Sequence, residues 1–122
     1  MPKDKSRRLK QVSSSLAQII SEIIQKELAD PRISAIVTIT GVHISADLRS
    51  AVVYFSVLGD SDAWDSAEKG LGRASGYIQQ ILAKRIALRV TPKLRFVPDH
   101  TEEKAYRIER ILDENISDEN NR

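Results

Sequence analysis

A chain of 122 residues with a formal net charge of +2 and no cysteine is long enough for one core, and it excludes both disulfides and thiolate chemistry. No apolar run approaches the roughly 20 residues that a membrane helix requires, and the polar N-terminus does not match a secretory signal. We therefore expect one cytoplasmic domain over residues 1–122, with an ordered core at about 6–115 and flexible termini.

The first predicted element is an amphipathic helix that begins with Ser6 as its N-cap. Its apolar residues recur at steps of three and four, which places them on one stripe of a helix. They are Leu9, Val12, Leu16, Ile19, Ile20, Ile23 and Leu28. Asp30-Pro31 should end the helix, because proline restricts the residue before it and cannot donate the next hydrogen bond.

Two strands are predicted next, over residues 35–44 and 51–57, because β-branched residues dominate and apolar side chains alternate with polar ones. The apolar alternation changes parity at Gly41, which indicates a β-bulge or a bend. The short segment Ser45-Ala46-Asp47-Leu48 turns the chain, so the two strands should pair as an antiparallel hairpin.

A helical pattern follows side-chain caps at Gly59–Asp62, and its buried stripe is Trp64, Ala67, Leu71 and Ala74. Ala74-Ser75-Gly76 interrupts this pattern, and a second stripe begins at Ile78. We therefore predict two helices separated by a break, with Lys69, Arg73 and Lys84 facing outward. Arg85 falls within the apolar stripe, so either its stem reaches past the stripe to solvent or the helix has already ended.

The last predicted elements are a strand and a helix. Lys93-Leu94-Arg95-Phe96 alternates charge with bulk, which indicates a strand with Leu94 and Phe96 inward. Asp99 and Glu102 have capping-box spacing at the start of a C-terminal helix. That helix should bury Ala105, Ile108, Ile111 and Leu112.

This order of elements predicts an α+β two-layer sandwich, α-β-β-α-kink-α-β plus a C-terminal α, in which a three-stranded sheet carries its helices on one face. The other face should be exposed because its side chains are mostly polar. These side chains are Thr38, Thr40, Tyr54, Ser56, Lys93 and Arg95.

Charge distribution gives the main functional signal. No carboxylate lies between Glu68 and Asp99, although cations are frequent there, and a second basic run precedes Gln11. Two such runs in a small domain indicate an RNA-binding protein. Glycine at the predicted break would also let a phosphate approach the backbone closely. The candidate RNA-binding residues are Arg7, Arg8, Lys10, Lys69, Arg73, Ser75, Gly76, Lys84, Arg85, Arg89, Lys93 and Arg95.

Several of these features have structural alternatives. Gly76 can serve only to let two helices pack. Trp64 has the spacing of a core residue. Tyr54 is the better base-stacking candidate, but its place in a strand favours cross-strand packing. His43 and His100 are too few and too dispersed for a metal site, and no GxxxxGK[ST] loop is present. We expect no metal, no cofactor and no small-molecule substrate.

A series of short segments resembles, in order, one known family. These segments are Asp30-Pro31-Arg32, Thr40–Arg49 with Ala51, Arg73-Ala74-Ser75-Gly76-Tyr77-Ile78, Leu88-Arg89, Pro92, Leu94, Phe96 and Asp99. On these residues the chain resembles the ribosome-binding factor A family over about residues 6 to 115. The resemblance implies a type II KH-like fold in which an alanine-x-glycine kink, here Ala74, Ser75 and Gly76, replaces the GxxG loop of KH domains.

The function that this resemblance implies is non-catalytic. Such a factor binds the immature small (30S) ribosomal subunit and assists late processing and folding of 16S rRNA, with most importance for growth in the cold. We expect a monomer without membrane contact that holds structured rRNA through phosphates and shape. The alternatives are a general RNA-binding protein, a hibernation-type factor on mature ribosomes, and an enzyme that uses His100 with Asp99 or Glu103.

Overall fold

The computed structural model describes residues 2–28, 30–101 and 111–112. Its helices and strands are α1 (Pro2–Lys26), α2 (Pro31–Ser34), β1 (Val37–Ile44), β2 (Ser50–Val57), α3 (Ser61–Arg85) and β3 (Lys93–Pro98). The three strands form one sheet in the order β1-β2-β3. β1 pairs with β2 antiparallel, as the predicted hairpin requires, and β2 pairs with β3 parallel. A parallel pair needs a crossover connection, which α3 supplies.

The core lies between the helices and one face of the sheet. Ala51, Val53 and Phe55 on β2 are at most 1% exposed. They belong to the same apolar cluster as α1 and α3, whose contributions include Leu16, Ile20, Ile23, Leu71, Ile78 and Leu82. α1 packs on β1, and α3 packs on β3 and on α1. The predicted α+β sandwich with helices on one face is confirmed.

The predicted irregularity in the first strand is a β-bulge at Thr40. Ile39 pairs with Phe55 and Gly41 pairs with Tyr54, so Thr40 is the extra residue on β1. Its Oγ1 donates a hydrogen bond to Oδ2 of Asp99 at 2.8 Å. The bulge is therefore tied to the residue that follows β3.

Both predicted ends of the first helix are wrong. α1 begins at Pro2 rather than after Ser6, because proline is tolerated in a first turn, where a backbone N–H has no helical partner. α1 ends at Lys26, and Asp30-Pro31 begins α2 instead of ending α1. Oδ1 of Asp30 accepts from the Arg32 N–H at 3.0 Å. The Asp-Pro pair thus acts as a helix start.

The predicted break at Ala74-Ser75-Gly76 is also wrong, since α3 continues from Ser61 to Arg85. The buried stripe explains this continuity: Leu71, Ile78 and Leu82 are each 0% exposed and lie on one face of a single helix. A glycine inside a helix costs about 1 kcal/mol, which this burial easily exceeds. A kink, meaning a bend of the axis without a break, remains a prediction.

The C-terminal helix that we predicted falls mostly outside the described residues, as do its capping residue Glu102 and its proposed core residues Ala105 and Ile108. Ile111 and Leu112 are 57% and 54% exposed, so the prediction that they are buried is wrong. Within the described part of the chain, no helix is long and apolar enough to cross a membrane.

Candidate RNA-binding surface

The outward side of α3 carries cations at helical spacing. Lys69, Arg73 and Lys84 are all exposed, and Tyr77, four residues after Arg73, is 49% exposed. Steps of three and four residues place these side chains on one side of the helix, opposite the buried stripe. We call this the α3 surface, and its residues are Lys69, Arg73, Gly76, Tyr77, Gln80 and Lys84.

A groove between α2 and α3 extends this surface and brings in Arg32, which the site prediction missed. Arg32 lines the groove together with Lys69 and Arg73. The guanidinium Nε lies 3.3 Å from Oδ1 of Asp30, and the Arg32 side chain is 88% exposed. An ion pair this exposed contributes little stability, and it leaves the guanidinium accessible to a ligand. The sequence signal that could have identified Arg32 is its place in the Asp30-Pro31-Arg32 segment, which carries part of the family resemblance.

Close packing of α2 against α3 depends on Gly70. A Cβ at this position would lie 2.6 Å from Cδ1 of Ile33, closer than carbon atoms approach one another. Ile33 is 6% exposed, so it is part of the core. Gly70 therefore has a packing role that positions Arg32 beside Lys69 and Arg73.

Gly76 differs from Gly70, because a Cβ there would meet nothing within 4 Å. The alternative in which Gly76 lets two helices pack is therefore wrong. Gly76 is exposed, and because it has no side chain the helix backbone is accessible between Arg73 and Gln80. Ser75 is half-buried, and its Oγ donates to the Gly72 carbonyl at 2.9 Å. The Ser75 hydroxyl proton is thus already used within the helix.

Arg85 has an intramolecular partner. It is the last residue of α3, and its Nη2 forms an ion pair with Oε2 of Glu22 on α1. The hydrogen bond from Arg85 lowers the pKa of Glu22. Of the two orientations that the sequence left open, the structure has an exposed guanidinium at the helix end that links α1 to α3.

The remaining candidate cations lie on other parts of the molecule. Arg7, Arg8 and Lys10 are exposed on the first turns of α1. At 1.5 Å per residue they are roughly 20 Å along the helix from Glu22, where α1 contacts the end of α3. Arg89 is exposed between α3 and β3, and Lys93 and Arg95 are exposed on the face of the sheet away from the helices. The predicted site is thus divided among the α3 surface, the start of α1, and the loop and sheet face at β3.

The residues of the enzyme alternative have structural roles. The His100 ring stacks on Trp64, with centroids 4.0 Å apart, and Trp64 is buried as predicted. Hydrogen bonds from the side chain and backbone of Thr101, and from the Thr40 hydroxyl, lower the pKa of Asp99. A carboxylate with a lowered pKa is a weak general base at neutral pH. Glu103 lies outside the described residues.

Comparisons with known proteins point to one family. The sequence model of the family described as ribosome-binding factor A matches residues 8–112. A ribosome-binding factor A from Nitrosomonas eutropha is 40% identical over 116 residues, which cover 95% of this chain and 97% of the relative.

Two structures show the same likeness. The crystal structure of ribosome-binding factor A from Thermus thermophilus is 29% identical and superposes with a TM-score of 0.65, covering 74% of this chain and 94% of that one. A homology model of the Thermus thermophilus factor, fitted into a cryo-EM map of its complex with the 30S subunit, superposes with a TM-score of 0.63 at 28% identity, covering 75% of this chain and 96% of that one.

The matched segment includes α3, β3 and nearly all of the sequence that carried the resemblance. Classification as a binding factor and not an enzyme is confirmed by these matches. The chain belongs to the ribosome-binding factor A family.

Proposed function

We propose that this protein binds the immature small ribosomal subunit and holds structured 16S rRNA through phosphate contacts on the α3 surface. The observation that carries the proposal is the convergence of Arg32, Lys69 and Arg73 at one groove, continued by Lys84 along α3. A relative whose homology model was fitted into a map of its complex with the 30S subunit supports the choice of subunit.

The spacing of the α3 surface suits a polyanion. Residues four apart on a helix are about 6 Å apart along its axis, so Lys69 to Lys84 spans roughly 22 Å. Lysine and arginine along such a line neutralise successive phosphates and displace condensed counterions. Gly76 lets the RNA backbone lie against the helix between these cations. The surface binds by charge and shape and reads little sequence.

Binding of this kind acts without chemistry. A ligand that contacts one rRNA conformation better than its competitors shifts the population toward that conformation. In this way a cytoplasmic monomer assists late folding of 16S rRNA and makes its ends available for processing. Misfolded RNA escapes slowly at low temperature, so the requirement for the protein should be greatest in the cold.

Sedimentation of cell lysate tests the proposal. The wild-type protein should co-migrate with free small subunits, be released by high salt and be absent from translating ribosomes. The variant with Arg73→Glu and Lys84→Glu should remain at the top of the gradient and stay folded, because both side chains are exposed. Lys26→Glu, which reverses one charge at an exposed position on α1 where the α3 variant reverses two, is the control and should co-migrate.

Two results would contradict the proposal. Enrichment of the wild-type protein on complete ribosomes would indicate a hibernation-type factor. Equal loss of co-migration in the Lys26→Glu control and in the α3 variant would mean that net charge, and not the α3 surface, determines binding.

A further inference from the structure

The face of the sheet away from the helices is a second exposed surface. Side chains on β2 alternate between the buried core and this face, so Val52 and Tyr54 point away from Phe55. The three strands together place a mixed set of residues there, of which Gly41, Val52, Ser56 and Val97 are half-buried. We call this the open sheet face, and its paired residues are Thr38, Gly41, His43, Ser50, Val52, Tyr54, Ser56, Lys93, Arg95 and Val97. Thr40, which the sequence also predicts on this face, is the unpaired bulge residue.

Tyr54 occupies the centre of this face with an open place beside it. It lies on the middle strand between Gly41 on β1 and Val97 on β3, and it is 37% exposed. Neither packing nor conformation requires glycine at 41, since a Cβ would meet nothing within 4 Å and Gly59 is the glycine with positive φ among the described residues. The consequence of Gly41 is that the position of β1 paired with Tyr54 carries no side chain.

Cations flank the ring along the edge strand. Val97 is the partner of Tyr54, so Arg95, two residues earlier on β3, is its diagonal neighbour. Diagonal neighbours lie roughly 7 to 8 Å apart, within reach of a long side chain. Lys93 continues the same row beside Ser50, and the exposed His43 faces Val52 from the other strand.

Carboxylates do not oppose these cations on the strands. No residue of the open sheet face, all of which the structure describes, is aspartate or glutamate. The nearest acidic residues in sequence are engaged at the sheet ends. Asp47 accepts from Ser45 Oγ and the Arg49 N–H, and Asp99 accepts from Thr40 and Thr101. An exposed aromatic ring beside a row of cations is the arrangement that single-stranded nucleic acid recognises.

We propose that the open sheet face binds a single-stranded RNA segment, with one base stacked on Tyr54 and the adjoining phosphates held by Arg95 and Lys93. This site is separate from the α3 surface and does not depend on the proposed ribosomal function. Two RNA-binding faces on opposite sides would let one protein hold structured and unpaired RNA together.

Binding of fluorescein-labelled octa-uridylate and octa-adenylate to the full chain, followed by fluorescence anisotropy at low salt, tests this site. Tyr54→Leu should weaken binding of both oligonucleotides at least 5-fold, as loss of one base stack predicts, whereas Tyr54→Phe should stay within about 2-fold of the wild type. Gln25→Leu, which places the same leucine at an exposed position of α1 outside both surfaces, is the control and should not alter affinity.

A second variant tests the open place beside the ring. Gly41→Thr adds a β-branched side chain where space is free, so the melting temperature should be kept or raised while oligonucleotide affinity falls at least 3-fold. Unchanged affinity in both Tyr54→Leu and Gly41→Thr would overturn the inference, as would equal losses in Tyr54→Leu and Gln25→Leu. If either of those results is obtained while Tyr54→Leu still co-migrates with small subunits, the inference fails but the proposed function stands.

Discussion

The α3 surface and the open sheet face present RNA with two different chemistries. On α3 the cations are spaced along one helix and joined by Arg32 from α2, with glycine between them. On the sheet a single tyrosine lies beside glycine, and the cations are confined to one edge strand. The first arrangement suits phosphates of folded RNA, and the second suits an unpaired base. Both surfaces are positively charged, but they suit different parts of an RNA. Glycine between the cations of α3 leaves room for the phosphate backbone, and tyrosine beside the cations of the sheet offers a ring for a base.

The largest expected effect is on the salt dependence of RNA affinity, which distinguishes phosphate contacts from base stacking. If about five phosphates contact the protein, log affinity should fall with log salt at a slope of roughly −3.5 to −4.5. Neutralising two contacts with Arg73→Gln and Lys84→Gln should reduce the magnitude of the slope by about 1.4 to 1.8 and weaken binding on the order of tenfold or more.

Filter binding to structured 16S rRNA fragments over a range of salt concentrations measures this slope. Tyr54→Leu serves as the control, because it removes no charge and should leave the slope for structured RNA unchanged. An unaltered slope in the double variant would show that Arg73 and Lys84 do not contact phosphates.

An intermediate effect is expected from three glycines of α3. Alanine adds the same helix propensity at each position, so differences between the variants isolate the surroundings. Gly70→Ala should be less stable than Gly76→Ala by about 1 kcal/mol or more, because its Cβ meets Ile33. Chemical denaturation measures this difference.

RNA affinity distinguishes Gly76 from Gly72, the two glycines of α3 at which a Cβ would meet nothing within 4 Å. Gly76→Ala should weaken binding of structured RNA several-fold although the fold becomes more stable, because the RNA backbone can no longer approach α3 as closely. Gly72→Ala, at a position where a Cβ also meets nothing within 4 Å, is the matched control on a neighbouring part of the helix. A stabilised Gly76→Ala variant with wild-type affinity would refute direct RNA contact at the glycine.

The smallest effect concerns Arg85, which the sequence grouped with the RNA-binding cations. Its partner Glu22 has a pKa below the ordinary value because Arg85 donates a hydrogen bond to it. The stability that this pair adds is therefore present above the ordinary glutamate value, about 4.3, and is lost as pH falls through the lower folded value.

Melting curves between neutral and acidic pH measure that contribution. Wild-type protein should melt slightly above Glu22→Gln at neutral pH, and the difference should shrink below about pH 4. Arg85→Gln should behave like Glu22→Gln and should leave the salt slope for RNA unchanged. A reduction of the slope by about 0.7 to 0.9, the value for one phosphate contact, would return Arg85 to the RNA-binding set.

Local sequence patterns were sufficient for the sheet and the core. Alternation on the second strand predicted that Val53 and Phe55 are buried, and the change of parity near Gly41 located the bulge within one residue. Both patterns depend on periodicity of neighbouring residues, which a sequence displays directly. The unbroken spacing of Leu71, Ile78 and Leu82 also indicates one continuous α3, but the low helix propensity of glycine predicts a break at the same place.

Contacts between distant residues were not predictable in this way. Arg32 joins Lys69 and Arg73 only because Gly70 admits Ile33, and the two glycines at 70 and 76 look alike in the sequence. Pairing of Arg85 with Glu22 requires the crossing of α1 and α3. Each of these features depends on how helices and strands pack against one another. The sequence therefore predicts which cations are candidates for the site, but not which of them share a surface.

Site-specific cross-linking from the α3 surface tests the central claim most directly. A photoreactive benzoylphenylalanine at position 77 replaces an exposed aromatic side chain, and the same residue at the exposed position 25 of α1 is the control. Irradiation of precursor small subunits should attach 16S rRNA to position 77 and not to position 25, at sites that primer extension maps to individual bases. Equal RNA cross-linking from both positions, or none from position 77, would contradict an RNA-binding surface on α3.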